Sequence, residues 1–507
     1  MDGETLVDRI LRFERERPGA PALCDPDGEM CWGELGSLSN RIGNALLSAG
    51  LAKGERIALL AHGSILYAAT MVGALKAGVS VVPLPTLLSG EAIAAMIADS
   101  GARLLFVSAP LRALAGPDAP RSIILDRAAL EAFALGSADT PPAVRVEARD
   151  EFNIIYSSGT TGRPKGIVQS HELRANAARR FGAIGFPDAC RTLATTALYS
   201  NWTMGALIYT LWSGGCIRIG GKFTPQGLLD LCAEFQPDDI FMVPVQVGRL
   251  LDHVAATGAP MPPPARKWCA GSYFPPAHKD ALLRLWPGGL MEIYGLTEGA
   301  PFTMLDAVAH PDKLGSVGRA DPADDLKIID EAGQPLPAGQ RGEVLGRVRV
   351  VMRGYNNNPV ATEALVWRDD QGDAWFRSGD IGELDEDGFL TITGRKKDMI
   401  ISGGFNIYSA DLEEVLLRHP DVAEAAAFAV PSRLWGESPV AAVVLSSGAQ
   451  AEAGAMLAWA NERLGSLQRL RDLVVVETLP RGSLDKILYR ELRERFRHLG
   501  DGETPLP

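Results

Sequence analysis

Apolar and polar positions along this chain switch repeatedly between helical spacing and short unbroken apolar runs. Over residues 35–51 apolar side chains recur at helical intervals and the run stops at Gly50, which predicts a helix and its end. Arg56–Leu60, 79–83 and Leu104–Val107 predict buried strands, with helices over 65–77 and 92–100 between them. Strands alternating with helices predict a parallel sheet covered on both faces. Further on, the pattern predicts a strand at 152–155, a helix opening at Ser170 and His171 and running to Arg180, and a strand at 241–245. The last stretch reads as a compact α+β unit, with a helix over 409–418 and strands at 425–430 and 440–445. The fold class expected is therefore α/β, a large N-terminal domain of parallel-type sheets with covering helices followed by a small α+β C-terminal domain.

Composition narrows the function classes. A chain of 507 residues is too long for one ordinary core. Its 46% hydrophobic and 22% charged content is that of a globular protein. A net charge of −12 argues against a general nucleic-acid binder, because phosphate binding needs a basic surface. The N-terminal segment mixes acidic and basic residues without an apolar core, and no uninterrupted apolar run reaches about 18 residues, so neither a secretory signal nor a membrane span is expected. Cytoplasm is the default expectation. Six cysteines without a C-x-x-C pair predict reduced, mostly buried thiols.

Candidate chemistry begins at Tyr156-Ser-Ser-Gly-Thr-Thr-Gly-Arg-Pro-Lys-Gly166, directly after the strand at 152–155. Gly159, Gly162 and Gly166 let backbone N–H groups approach an anion closely. Ser157, Ser158, Thr160 and Thr161 add short donors, Lys165 adds a point charge, and Pro164 stiffens the loop before it. The spacing is neither G-x-x-x-x-G-K-[ST] nor G-x-G-x-x-G. Met291-Glu-Ile-Tyr-Gly-Leu-Thr-Glu298 is the second signal, an apolar strand end leading through Tyr294 and Gly295 to a hydroxyl and a carboxylate at a sheet rim. A carboxylate facing a triphosphate requires a cation between them, which makes Glu298 the candidate Mg²⁺ ligand. The third signal runs through Trp375-Phe-Arg-Ser-Gly-Asp380 and Asp387-Gly-Phe-Leu-Thr-Ile-Thr-Gly-Arg395. Taken alone, Asp380 reads as a turn residue and Arg395 as a surface charge.

These strings, in this order, resemble the adenylate-forming superfamily, which includes acyl-CoA synthetases, firefly luciferase and the adenylation domains of peptide synthetases; the resemblance is strongest to acyl-CoA synthetases. It extends through Trp32-Gly-Glu-Leu35, Leu75-Lys-Ala-Gly78 and Asp99-Ser100, which read as scaffold. The resemblance implies that Thr297 contacts the α-phosphate, that Thr160 joins Glu298 at the metal, and that Gly271, Ser272 and Tyr273 border adenine and the acyl pocket. It implies that Asp380, acceptor-only when ionised, suits two ribose hydroxyls and that Arg395 can donate to the same sugar. It implies a hinge at Lys397 in Gly394-Arg-Lys-Lys397, dividing the chain into residues 1–396 and a mobile domain of residues 397–507. Gly403 and Gly404 would present backbone to a pantetheine arm. Leu479-Pro-Arg-Gly-Ser-Leu-Asp-Lys486 matches the final motif and makes Lys486 the catalytic lysine, with Asp485 where a glycine is commoner.

The implied activity uses ATP, Mg²⁺ and coenzyme A to turn a carboxylic acid into an acyl-adenylate and then an acyl-CoA, with AMP and pyrophosphate released. The alternative acceptor is the phosphopantetheine of a carrier protein. A purely nucleotide-binding protein would be expected to have broken motifs. In Ala197-Leu-Tyr-Ser-Asn-Trp-Thr-Met204, Ser200 stands where many acyl-CoA synthetases carry a gating histidine, and no acid is present to pair with an α-ammonium, which disfavours an amino acid. Tyr199, Ser200, Trp202 and Tyr273 are candidates to line the acyl pocket, where the aromatics at Tyr199, Trp202, Tyr273 and Phe302 would favour a short or aromatic acid; Tyr199, Trp202 and Met204 read equally as core. A histidine beside a helix start, such as His171, reads as a cap or surface residue. A symmetric homodimer is the default assembly.

Overall fold

A computed structural model describes residues 3–157, 165–322, 324–402, 405–432, 435–465, 468–482 and 486–500. The chain forms two compact units, one of residues 1–325 with 347–376, the other of residues 326–346 with 377–507. The expected division after residue 396 falls inside the second unit, in the turn Lys396–Asp398.

Two sheets organise the first unit. One has seven strands, in the order Gly354–Tyr355, Lys165–Ser170, Glu151–Ser157, Ser80–Pro83, Arg56–Leu60, Leu104–Val107 and Ser122–Ile124. From Glu151–Ser157 to Ser122–Ile124 all neighbours are parallel. Alternate residues of Arg56–Leu60 enter different clusters: Ile57 and Leu59 pack with Phe106 and Phe152, Ala58 and Leu60 with Val107 and Ile154. Burial on both faces is why these strands read as unbroken apolar runs. The other sheet has nine strands, parallel from Pro21–Asp25 to Leu290–Gly295 and antiparallel at both edges.

The helices between strands start where short polar side chains cap them. Ser64 accepts from Tyr67 N–H and Ser89 from Ala92 N–H, so the second helix begins at Gly90 rather than at 92. The strand expected at 241–245 ends at Met242, because Pro244, with its preset φ, opens the helix Pro244–Thr257. The second unit carries a five-stranded sheet including Val422–Ser432, Gly436–Leu445 and Asp472–Val475, packed by the helices Ser409–Leu417 and Ala453–Asn461. All six cysteines are free thiols, five of them buried.

Three N-terminal helices converge on one charge. Lys76, at the end of Ile65–Lys76, is 2% exposed and donates to Glu14 at 2.5 Å, to Ser39 at 2.8 Å and to Asn40 at 2.7 Å. Removing one partner strands the other without water. We therefore expect Lys76→Ala to cost about 3 kcal/mol or more in urea unfolding. The double change of Glu14→Leu with Lys76→Met, which leaves no buried charge, should recover most of that loss.

Candidate active site

The glycine-rich loop is carried by an antiparallel hairpin. Ser157 pairs with Lys165 and Tyr156 with Gly166 across the strands Glu151–Ser157 and Lys165–Ser170. Ser158, Gly159, Thr160, Thr161 and Gly162 lie outside the described residues, as does the side chain of Ser157. Gly166 is required locally, since a Cβ there would meet Ile154 at 2.9 Å and the Tyr156 ring at 3.1 Å.

Strand Lys165–Ser170 brings a second motif to this hairpin. Gln169, buried next to Ile167 and Val168 in this strand, donates to the carbonyl of Thr297 at 2.6 Å. Its own carbonyl accepts from Asn153 at 3.0 Å, and Asn153 accepts in turn from the Arg174 guanidinium at 3.0 Å. Burial lowers the Arg174 pKa to about 10. Thr297 and Glu298 occupy the turn after strand Leu290–Gly295 and are partly buried. Half-buried Tyr294 precedes exposed Gly295, which closes that strand.

On the other edge of Lys165–Ser170 lies the short strand Gly354–Tyr355. The Tyr355 hydroxyl donates to Glu298 Oε1 at 2.7 Å, and the Lys165 ammonium sits 5.1 Å from the centre of the Tyr355 ring. Burial, reinforced by the Glu298 carboxylate, pushes the Tyr355 phenol well above its ordinary range, so it remains a donor. Met352 N–H donates to the Glu298 carbonyl at 2.8 Å. Neither Tyr355 nor Gln169 was singled out from sequence. The available signals are a glutamine directly after the apolar pair Ile167-Val168 and the turn chemistry of Arg353-Gly-Tyr-Asn-Asn-Asn-Pro359.

Among the described residues no three His, Cys, Asp or Glu side chains gather into a metal site. A single carboxylate on a sheet rim fits Mg²⁺ that arrives with a nucleotide, because that ion takes one or two carboxylates and completes its shell with phosphate oxygens and water.

The residues considered for an acyl pocket are held in different ways. Ser200 caps the helix Asn201–Ser213, accepting from Thr203 N–H at 3.2 Å, so the serine has a structural role of its own. The Trp202 indole N–H donates to the Met242 carbonyl at 2.9 Å, and its ring lies 4.9 Å from that of Phe241. Tyr199 and Met204 are buried, and Phe302 is half-buried under the Arg180 guanidinium. Gly271, at φ 105°, turns the chain after strand Arg266–Ala270, leaving Ser272 exposed and Tyr273 65% exposed.

In the second unit, Asp380 and Arg395 are cross-strand partners joined by an ion pair of 2.8 Å, with Asp380 buried and Arg395 exposed. Lys397 lies between two anchored neighbours: Lys396 pairs with Glu343 at 2.9 Å and Asp398 with Arg493 at 3.0 Å. Lys486 is exposed, its carbonyl accepts from Gly482 N–H at 2.8 Å, and Arg481 and Ile487 on either side form an antiparallel bridge. Gly403, Gly404 and Asp485 lie outside the described residues.

Residues 11–356 match the family model described as AMP-binding enzyme, and residues 411–486 match the AMP-binding enzyme C-terminal domain. A feruloyl-CoA synthase of an Amycolatopsis species is 31% identical over 98% of this chain and 100% of its own. The fatty acid–[acyl-carrier-protein] ligase ScoC of Streptomyces coeruleorubidus is 30% identical over 97% of this chain and 96% of its own. Among solved structures, ATP-bound MatB from Rhodopseudomonas palustris superposes with a TM-score of 0.88 at 26% identity, covering 97% of this chain and 99% of that one. The o-succinylbenzoate coenzyme A synthetase of Bacillus subtilis, in complex with ATP and magnesium ion, gives 0.85 at 25% identity, with 97% and 99% covered. No helix among the described residues is long and apolar enough to cross a membrane.

His171 is neither a cap nor a surface residue. Ser170 caps the helix His171–Ala183, while His171 is buried with its ring 4.9 Å from that of Phe152. Burial pushes its imidazole down from the ordinary 6.5 to about 4. Below pH 6.5 the unfolded chain takes up a proton that the folded chain refuses, so this contribution to stability is complete above pH 6.5 and is lost as pH falls towards 4. The expected loss is about 2 kcal/mol between pH 6.5 and 5. Urea unfolding at the two pH values should show that dependence reduced in His171→Leu.

Proposed function

We propose, for a chain that belongs to the AMP-binding enzyme family, that it activates a carboxylic acid with ATP and passes the acyl group to the thiol of coenzyme A. The observation that carries this reading is the end-to-end relation to a feruloyl-CoA synthase, with the phosphate loop, Glu298, Asp380, Arg395 and Lys486 all present and in order. In the first half-reaction a carboxylate oxygen attacks the α-phosphorus, an O–P bond forms, and the bond to the pyrophosphate oxygen breaks. In the second, a thiol sulfur attacks the acyl carbon, a C–S bond forms, and AMP departs with the former carboxylate oxygen.

The chain's own residues divide this work. Lys165 and the loop donors Ser157, Ser158, Gly159, Thr160, Thr161 and Gly162 hold the phosphates, and Thr297 orients the α-phosphate. Asp380 accepts from the ribose hydroxyls, and Arg395, its ion-pair partner, donates to the same sugar. Gly271, Ser272, Tyr273, Tyr294 and Gly295 border adenine. Glu298 and Thr160 would hold Mg²⁺, which when bound screens the charge of the phosphates. Lys486 supplies positive charge where negative charge builds between carboxylate and α-phosphate. Lys397 is the pivot between the two half-reactions, and Gly403 and Gly404 face the pantetheine arm in the second. The mobile domain on this reading is residues 397–507.

Aromatic rings at Tyr199, Trp202, Tyr273 and Phe302 would fill space beside the acid and so favour an aromatic or short one. A second reading, transfer to the phosphopantetheine of a carrier protein, is favoured by the relation to ScoC.

Mass spectrometry of products from the protein with Mg-ATP, CoA and a mixed pool of carboxylic acids tests the proposal. Acyl-CoA with AMP is the expected result, and acyl-AMP without a thioester would favour the carrier-protein reading. Lys486→Ala should lower adenylation, read as pyrophosphate exchange, by about a hundredfold or more while ATP affinity stays within about threefold. Unchanged exchange in that variant would refute the role given to Lys486.

A further inference from the structure

Lys165 and Glu298 carry opposite charges in one unit, yet among the described residues no ion pair joins them; both rest on Tyr355. The ammonium takes the ring face at 5.1 Å and the carboxylate takes the hydroxyl at 2.7 Å. A tyrosine is suited to this, since its face attracts a cation and its hydroxyl donates to an anion. We propose that Tyr355 is a positioning residue for Mg²⁺–nucleotide binding, which orients the Glu298 carboxylate while giving the Lys165 ammonium a separate resting place. The inference rests on the reading that Lys165 and Glu298 serve the nucleotide.

The backbone around Tyr355 is fixed to both motifs it serves. Met352 N–H bonds to the Glu298 carbonyl at 2.8 Å, Arg353 N–H to the Val168 carbonyl at 2.8 Å and Asn356 N–H to the Gly166 carbonyl at 2.7 Å. On its far side, Asn356 and Asn357 donate to the Asp99 carbonyl at 2.7 and 3.0 Å, and Tyr156 donates to the Asp99 carboxylate at 2.6 Å. The ring packs with Ile167 and Met352. Packing alone needs only a ring; the hydroxyl is the part that packing does not explain. With Oε1 held by the phenol, Oε2 of Glu298 accepts no hydrogen bond from a described residue, and one carboxylate oxygen is what Mg²⁺ commonly takes when phosphate oxygens and water complete its shell.

The test uses the full-length protein, its Tyr355→Phe and Tyr355→Leu variants, and Glu298→Gln. ATP affinity is measured by calorimetry with Mg²⁺ and with EDTA, alongside nucleotide-free thermal unfolding. Tyr355→Phe should keep the Mg²⁺-free affinity and the melting temperature but lose about tenfold of the gain in affinity that Mg²⁺ confers, as expected for a hydrogen bond to a charged group. Tyr355→Leu, lacking the ring face as well, should also weaken Mg²⁺-free binding. Parental behaviour of Tyr355→Phe would overturn the proposal, as would an equal loss of affinity with and without Mg²⁺, because either outcome reduces the hydroxyl to packing. If Mg²⁺ adds nothing to ATP affinity in the parent, and Glu298→Gln changes nothing either, the reading of Glu298 itself fails.

Discussion

One buried amide holds the phosphate-loop hairpin to the motif that follows Leu290–Gly295. Gln169 is buried near the end of Lys165–Ser170, where an unpaired amide would cost a few kcal/mol, and both its ends are satisfied, by Thr297 on one side and Asn153 on the other. Arg174 completes the chain from the helix His171–Ala183. Because each member needs its neighbour, the network specifies register as well as stability: a slip of Lys165–Ser170 by one residue would turn Gln169 to the opposite face.

Strand Lys165–Ser170 is bonded on both edges, to Glu151–Ser157 and to Gly354–Tyr355. That makes it the piece through which three sequence-distant motifs share one frame. The second unit has a simpler frame, in which Asp380 and Arg395 are directly opposed across two antiparallel strands. Their pairing orients the aspartate and leaves the exposed arginine at the surface of the sheet, a disposition suited to a polar sugar.

Strand and helix positions in the first 110 residues or so were largely legible, because strands buried on both faces give unbroken apolar runs and the helices between them carry serine caps. His171 was misread for a physical reason. Its place beside a cap is local information, whereas its burial against Phe152 comes from a strand some twenty residues away. Apolar continuity over 241–245 hides the strand's end at Met242, because the proline that opens the next helix sits inside the apolar run. Gly-Tyr-Asn-Asn-Asn-Pro reads in sequence only as a turn, so nothing local marks Tyr355.

The sequence by itself determined the family, through motifs whose residue types and order are set by the chemistry of nucleotide and carboxylate, and it determined the alternation of strands and helices through burial. Only the tertiary structure decided which of those residues touch. That Glu298 and Lys165 meet on Tyr355, and that Gln169 reaches the backbone of Thr297, depends on strand register and on which edge a returning segment joins. Those are properties of packing between distant segments, and no local pattern of hydrophobic and polar positions encodes them.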